Sequence, residues 1–184
     1  MKIVFISGSP RKKSNTEYLL KSMISQVKGE FIKLSNYKIE PCRACWQCQK
    51  SGKCIIDDDM NNILIPKLIK SDVIVLGSPV FFNNVSAQLK AFIDRTWSIR
   101  GKLKNKIGGS VVIGRKYGLE NAIIAINSFF LKHQMIIANR GVCGIAFMEG
   151  EIKNDSEAIQ SSKNLATRIS ELLNLIEHKN NKSF

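Results

Sequence analysis

The strongest constraint on how this chain can fold is an alternation of two patterns. Short, wholly apolar runs ending at glycine or serine take turns with stretches whose apolar residues recur at helical spacing. Ile3–Ser7 runs into Gly8, and its lack of polar alternation predicts a strand buried on both faces. Ser14-Asn15-Thr16 can then cap a helix carrying Leu19, Leu20, Met23, Ile24 and Val27, which Gly29 ends. Phe31–Leu34 reads as the second strand and Asp72–Ser78 as the third. Leu89, Phe92, Ile93, Thr96 and Trp97 mark a helix, and Ile107–Ile113 a fourth strand ending at Gly114. Ala122, Ile123, Ile126, Phe129 and Phe130 mark the next helix. Met135–Ala138 is the fifth strand, with Gly144–Met148 as its continuation. The last helix turns Ile159, Ala166, Ile169, Leu173 and Ile176 inward, and the tail, Asn180–Phe184, is expected to fray. This order predicts an α/β fold, a doubly wound, five-stranded parallel sheet in the order 2-1-3-4-5. No repeat or linker divides the 184 residues, so one domain over 1–184 is expected.

In such a sheet a ligand sits beyond the carboxyl ends of the strands where the strand order reverses, here between strands one and three. The loop after strand one reads SGSPRKKSNT, residues 7–16. Its small residues let the backbone approach an anion. Ser9, Ser14, Asn15 and Thr16 can donate to phosphate oxygens, Arg11 can make a forked contact, and the helix start adds free N–H groups. It is not a P-loop, because Lys13 stands at the second glycine position. It is not a dinucleotide fingerprint either, because Pro10 stands at the second glycine of G-x-G-x-x-G. An ordinary capped turn would use the same residues. The loop after strand three reads GSPVFFNNVSAQLK, residues 77–90. Phe81 and Phe82 offer a flat apolar wall, Pro79 stiffens the turn, and backbone groups around Val80–Asn83 can meet a heteroaromatic edge. The plainer reading buries both phenylalanines and caps the next helix with Asn84. Gly114-Arg115, at the end of strand four, abuts the same crevice.

Between strand two and the following helix lies CRACWQCQKSGKC, with Cys42, Cys45, Cys48 and Cys54. The segment, 41–56, lacks hydrophobic periodicity and reads as a loop. Its C-x₂-C-x₂-C-x₅-C spacing is the local signature of thiolates around a [4Fe–4S] cube, and no second motif competes for the fourth cysteine. Zinc more often takes two separated pairs, and metal-free redox thiols remain a third reading. Arg43, Lys50 and Lys53 can offset the cluster's negative charge, and Trp46 can shield it. Asp57-Asp58-Asp59 are expected to cap the next helix rather than hold magnesium. Cys143, alone in GVCGI, is expected to be a small core residue.

SGSPRKKSNT, GSPVFFNNVSAQLKAFIDR and the strand ending at Gly114 resemble the NADPH-dependent FMN reductase family of flavodoxin-like proteins. With the cysteine block, the closer resemblance is to its iron–sulfur flavoprotein subgroup, over nearly the whole chain. The resemblance implies FMN bound non-covalently, with its phosphate on Ser9, Arg11, Ser14, Asn15 and Thr16. It places the flavin ring against Pro79, Val80, Phe81, Phe82 and Asn83 and near Gly114. It implies one cluster on Cys42, Cys45, Cys48 and Cys54, and a homodimer or homotetramer in which cluster and flavin of neighbouring subunits come close. The chain departs from the pattern at Gly118-Leu119-Glu120, where relatives often carry Gly-Gly-Gln-Glu.

His133 and His178 both sit at helix ends, where they are expected to complement the dipole. No hydrolytic triad can be assembled, which fits an oxidoreductase whose cofactors carry the chemistry. The formal charge of +13 comes from scattered Lys and Arg. No basic helix or aromatic-plus-basic motif points to nucleic acid, and the surface suits an acidic carrier such as ferredoxin. The opening apolar run is too short for a signal peptide and no segment is long enough to span a membrane, so a cytoplasmic protein is expected. The rival reading is an NAD(P)H-dependent FMN or quinone reductase without a functional cluster.

Overall fold

In the computed structural model, which describes residues 1–180, each apolar run becomes a strand of one parallel sheet. β1 (Ile3–Ser7) pairs with β2 (Glu30–Lys33) on one side and β3 (Val73–Pro79) on the other, with Ile6 opposite Ile32 and Leu76. β4 (Ile107–Gly114) pairs with β3, Leu76 lying opposite Ser110. The order β2-β1-β3-β4, with the fifth position beyond β4, is the one expected. The expectation on the tail beyond Asn180 lies outside the described residues. Among the described residues, no helix is long and apolar enough to cross a membrane.

The fifth position differs from the expectation of one strand. β5 (Ile136–Ile137) and β6 (Val142–Ile145) both pair with β4, at Ile107–Gly108 and Val111–Gly114 respectively, so the sheet has six strands. The break falls at residues 139–141. Asn139 Oδ1 accepts the Gly141 N–H at 2.9 Å, and Gly141 adopts φ +114°, where a side chain would be strained. A Cβ there would also lie 2.5 Å from Ile123 Cδ1 and Ser110 Oγ. This edge position turns Cys143 outward, so it is exposed rather than the expected core residue.

Helices cover both faces. α1 (Asn15–Ile24) and α6 (Ser156–Asn180) pack Leu19, Leu20, Met23, Leu165 and Ile169 on Phe5, Val73, Val75 and Val111. The opposite face carries α3 (Ile65–Lys70), α4 (Ala87–Arg95) and α5 (Leu119–Lys132), whose Leu68, Leu89, Phe92, Ile126 and Phe130 cover Ile6, Ile74, Leu76 and Val112. Adjacent strand residues therefore enter different cores, which is why their runs are apolar throughout. A short helix, α2 (Gln47–Ser51), interrupts the cysteine segment expected to be loop. The helix after the aspartates begins as a π-helical turn, Met60–Leu64, before Pro66 takes up the first turn of α3.

His133 closes α5 but is not a dipole-complementing cation. It is buried, its Nε2 lies 3.0 Å from Thr96 Oγ1, and its ring packs at 4.8 Å from Phe129. Burial, helped by Lys132, lowers its pKa from 6.5 to about 4. The unfolded chain therefore binds a proton below about pH 6.5 that the folded chain refuses until about pH 4. His133 stabilises fully above pH 6.5, and up to about 3 kcal/mol is lost as pH falls through this window. Urea unfolding at pH 7.5 and pH 4.5 should show a smaller pH difference for His133→Gln than for wild type; equal differences would refute the assignment.

Candidate functional site

The carboxyl ends of β1, β3, β4 and β6 open on a cavity of about 370 Å³. Ser9, Arg11, Ser14, Asn15, Thr16, Pro79, Val80, Phe81, Phe82, Asn83 and Gly114 all line it. The eleven positions expected to meet one ligand thus converge on one space. Ser14 caps α1 by accepting the Glu17 N–H at 3.3 Å. The N–H groups of Asn15 and Thr16, in the first turn, have no intrahelical acceptor and favour an anion there. Lys33 at the end of β2 holds the loop from beneath. Its Nζ meets Glu17 Oε1 at 2.6 Å and donates to the carbonyls of Arg11 and Lys12 at 2.5 and 3.5 Å.

The aromatic wall is a tight hairpin turn. Phe81 and Asn84 exchange backbone hydrogen bonds of 2.9 and 3.1 Å, and Phe82 and Asn83 between them adopt φ 49° and 62°. Two successive left-handed residues without glycine store strain, which persists only where the surroundings enforce it. Gly118 is one enforcer: at φ +75°, its missing Cβ leaves room for Asn83, whose Cα would otherwise lie 2.5 Å away. The phenylalanines are not buried; Phe82 is fully exposed. The helix behind the turn is capped by Ser86 rather than Asn84, Ser86 Oγ accepting the Leu89 N–H at 3.3 Å and donating to Gly8 O at 2.6 Å.

Tyr117, Ala146 and Phe147 also line the cavity and escaped sequence reasoning. The last two belong to a loop after β6 whose position depends on contacts distant in sequence. Arg11 Nη1 donates to Phe147 O at 2.9 Å, Asn15 Nδ2 donates to Met148 O at 2.8 Å, and Asn15 Oδ1 accepts the Gly150 N–H at 2.9 Å. Asn15 thus joins two walls of the cavity through both of its polar atoms. Arg115 stacks on Phe147, 5.2 Å from the ring centre.

A second cavity, about 360 Å³, is lined by Cys42, Cys45, Cys48 and Cys54 together with Trp46, Trp97, Ile55, Ile56 and Asp94. Among the described residues, no group of three or more His, Cys, Asp or Glu side chains is arranged to hold a metal ion. The four thiols line one cavity. They still sense one another: burial raises the Cys48 thiol pKa, and repulsion from Cys54, Cys42 and Cys45 adds to the rise. The segment curls through left-handed backbone at Ala44, Trp46 and Gly52. Trp46 is half exposed and meets Trp97 edge to face at 6.0 Å.

Both ends of this segment are held by a buried ion pair. Arg95, 2% exposed, meets Asp58 through Nη1–Oδ2 at 2.6 Å and Nη2–Oδ1 at 2.9 Å. Its nitrogens also donate to Glu40 O at 2.7 Å, before the cysteines, and to Ile56 O at 3.4 Å, after them. Burial alone would raise the Asp58 pKa, but hydrogen bonds from Arg95 and the Glu40 and Asn61 N–H groups hold it below its ordinary value. Of the three aspartates expected to cap, Asp58 accepts the Asn61 N–H at 3.2 Å, whereas Asp59 accepts the Lys38 N–H at 2.7 Å and ties the loop across to β2's exit. Arg95 was legible in principle, as a charge at a core-facing position three residues after Phe92.

With this geometry in place, comparison with known proteins is informative. The model of the NADPH-dependent FMN reductase family matches residues 1–149. An iron–sulfur flavoprotein of Methanocaldococcus jannaschii is 39% identical over 96% of this chain and all of its own length. Among solved structures, that of RosB with a bound riboflavin 5'-phosphate derivative superposes with a TM-score of 0.79 at 13% identity, over 97% of this chain and 81% of that one. A flavodoxin from the domain Archaea superposes with a TM-score of 0.60 at 16% identity, over 93% of this chain and 97% of that one. Sequence kinship and a shared fold agree: the chain belongs to the NADPH-dependent FMN reductase family and is a flavodoxin-like, FMN-dependent oxidoreductase.

Proposed function

We propose that this flavoprotein is an iron–sulfur flavoprotein that carries electrons between an acidic, ferredoxin-like carrier, a [4Fe–4S] cluster and FMN. The observation that carries the cluster reading is the convergence of Cys42, Cys45, Cys48 and Cys54 on one cavity. The C-x₂-C-x₂-C-x₅-C spacing suits a polynuclear cluster, whereas zinc more often takes two separated pairs. When bound, the cluster supplies single-electron transfer and FMN the storage of one or two electrons.

The chain's residues do the rest. Ser9, Ser14, Thr16 and the start of α1 hold the FMN phosphate, with Arg11 and Asn15 forming its cradle and tying it to the loop after β6. Pro79, Val80, Phe81, Phe82 and Asn83, with Gly114, flank the flavin ring. Phe82, Tyr117, Phe147 and Met148 are exposed around the opening, which supports assembly as a homodimer or homotetramer with apolar surface shared between copies. The charge of +13 supports docking of an acidic carrier.

Anaerobic reconstitution should yield FMN together with about four iron and four sulfide per chain, and a broad absorption band beyond the flavin peaks. Flavin without iron or sulfide, with rapid NADPH oxidation, would instead support an NAD(P)H-dependent FMN or quinone reductase. Reduction by ferredoxin should slow as added salt shortens the screening length, about 10 Å at 0.1 M; a rate indifferent to salt would remove the acidic carrier from the proposal. Gly118→Ala should displace the Phe81–Asn84 turn and weaken FMN binding about tenfold or more. Flavin fluorescence titration reads this directly, and unchanged affinity would exclude the turn from the flavin site.

A further inference from the structure

The cavity at the carboxyl ends of the strands is lined by two arginines and by no carboxylate. Arg11 lies in the loop after β1, and Arg115 follows Gly114 at the end of β4. Among the described residues, neither forms an ion pair. One residue of the loop after β6 fixes both. The Phe147 carbonyl accepts from Arg11 Nη1 at 2.9 Å, and the Phe147 ring carries the Arg115 guanidinium 5.2 Å from its centre. The Phe147 N–H is itself held, by Glu151 Oε2 at 2.6 Å, and the same oxygen accepts the Met148 N–H at 2.9 Å. Glu149, a second carboxylate of this loop, is paired with Lys13 at 3.2 Å. The acidic groups nearby are thus engaged elsewhere, and the cavity keeps two uncompensated cations that favour an anionic ligand. Arg11 spends one N–H on Phe147 and has others left for a phosphate. Arg115 is exposed, and its stack on Phe147 limits the swing of a long side chain.

Two cations suit FMN because it gathers negative charge in two places. Its phosphate is anionic whether the flavin is oxidised or reduced. Its ring is neutral when oxidised; two electrons, with one proton taken up at N5, leave one negative charge on the N1–C2 carbonyl edge. We infer that Arg115 tunes the flavin, its guanidinium held by Phe147 to stabilise the charge that the ring gains on reduction. The inference rests on the reading that this cavity holds FMN with its phosphate on loop 7–16 and its ring beside Gly114, and it does not involve the cysteine segment. Arg11, facing a phosphate common to both redox states, supports them alike and sets affinity. Arg115 interacts more strongly with one state than the other, so it sets the reduction potential. Phe147 is the positioning residue for both: its backbone aims Arg11 and its ring aims Arg115.

The test measures affinity for oxidised FMN by fluorescence titration, and the two-electron potential of bound FMN by anaerobic titration followed at the flavin absorption band. Arg115→Gln should bind oxidised FMN within about twofold of wild type, while its preference for reduced over oxidised FMN falls about tenfold. For a two-electron couple that is a shift of about 30 mV to more negative potential. Arg115→Lys, which keeps a cation, should recover most of the wild-type value. Phe147→Leu keeps both arginines but loses the stack, and should shift the potential the same way by less. An Arg115→Gln protein with the wild-type potential overturns the inference, and so does a Lys variant shifted as far as the Gln variant. Loss of affinity for oxidised FMN also overturns it, by making Arg115 a wall of the site. Weaker NADPH binding at an unchanged potential overturns it in favour of a contact with the nicotinamide nucleotide. Should Arg115→Gln fail to fold by circular dichroism, Phe147→Leu decides, and an unmoved potential there overturns the inference. Wild-type protein that binds no FMN overturns the flavin reading and this inference together. FMN-loaded wild type without iron or sulfide overturns the electron-carrier reading alone, and the shift in Arg115→Gln is still expected.

Discussion

A single buried ion pair, Asp58 with Arg95, sets the path of the segment that distinguishes this chain from a bare flavin-binding sheet. The residues from 41 to 56 bury little apolar surface and cannot fix their own course by packing. They are instead stretched between two backbone carbonyls, those of Glu40 and Ile56, which meet on one guanidinium. Asp58 balances the charge with both carboxylate oxygens and takes two backbone N–H groups in return. Every acceptor site it offers is therefore used. Losing one partner of such a pair strands a charge at a cost of about 3–5 kcal/mol. The segment's geometry is thus tied to the stability of the helix layer beneath it.

Much of this fold was legible because the sheet is parallel and covered on both faces. Burial on both sides makes its strands continuous apolar runs, and Ile3–Ser7 and Ile107–Gly114 stand out for that reason. The switch point then follows from strand order, and with it the convergence of loops 7–16 and 77–83. The cysteine cavity was legible for a different reason. Thiols at short spacing stay near one another along the chain, and the Asp58–Arg95 pair then sets the path they follow.

What escaped was whatever depends on contacts distant in sequence. The split of the fifth strand comes from an Asx-type turn at Asn139 and from the closeness of Ile123 to Gly141. The outward face of Cys143 follows from that edge. Phe147 reaches the cavity at the carboxyl ends of the strands because Asn15 and Arg11 bond the loop that carries it, a pairing across more than a hundred residues. His133 looked like a surface cation at a helix end, but Thr96 and Phe129 enclose it. The aspartate triplet looked like a cap, and the partner that claims its middle member lies thirty-seven residues away.

Helix α4 links the two cavities. Ser86, its N-cap, bonds Gly8 in the loop after β1 and lies two residues beyond the Phe81–Asn84 hairpin. Arg95, at its end, holds the cysteine segment. With a rise of 1.5 Å per residue, the nine residues Ala87–Arg95 make a rigid spacer of about 13 Å. Inserting one residue would turn Arg95 by about 100° and carry it off the face shared with Phe92. A residue gained or lost between Ser86 and Arg95 would therefore change the relation between the two cavities. Helix length in this fold acts as a gauge block, and insertions elsewhere in the chain leave its setting unchanged.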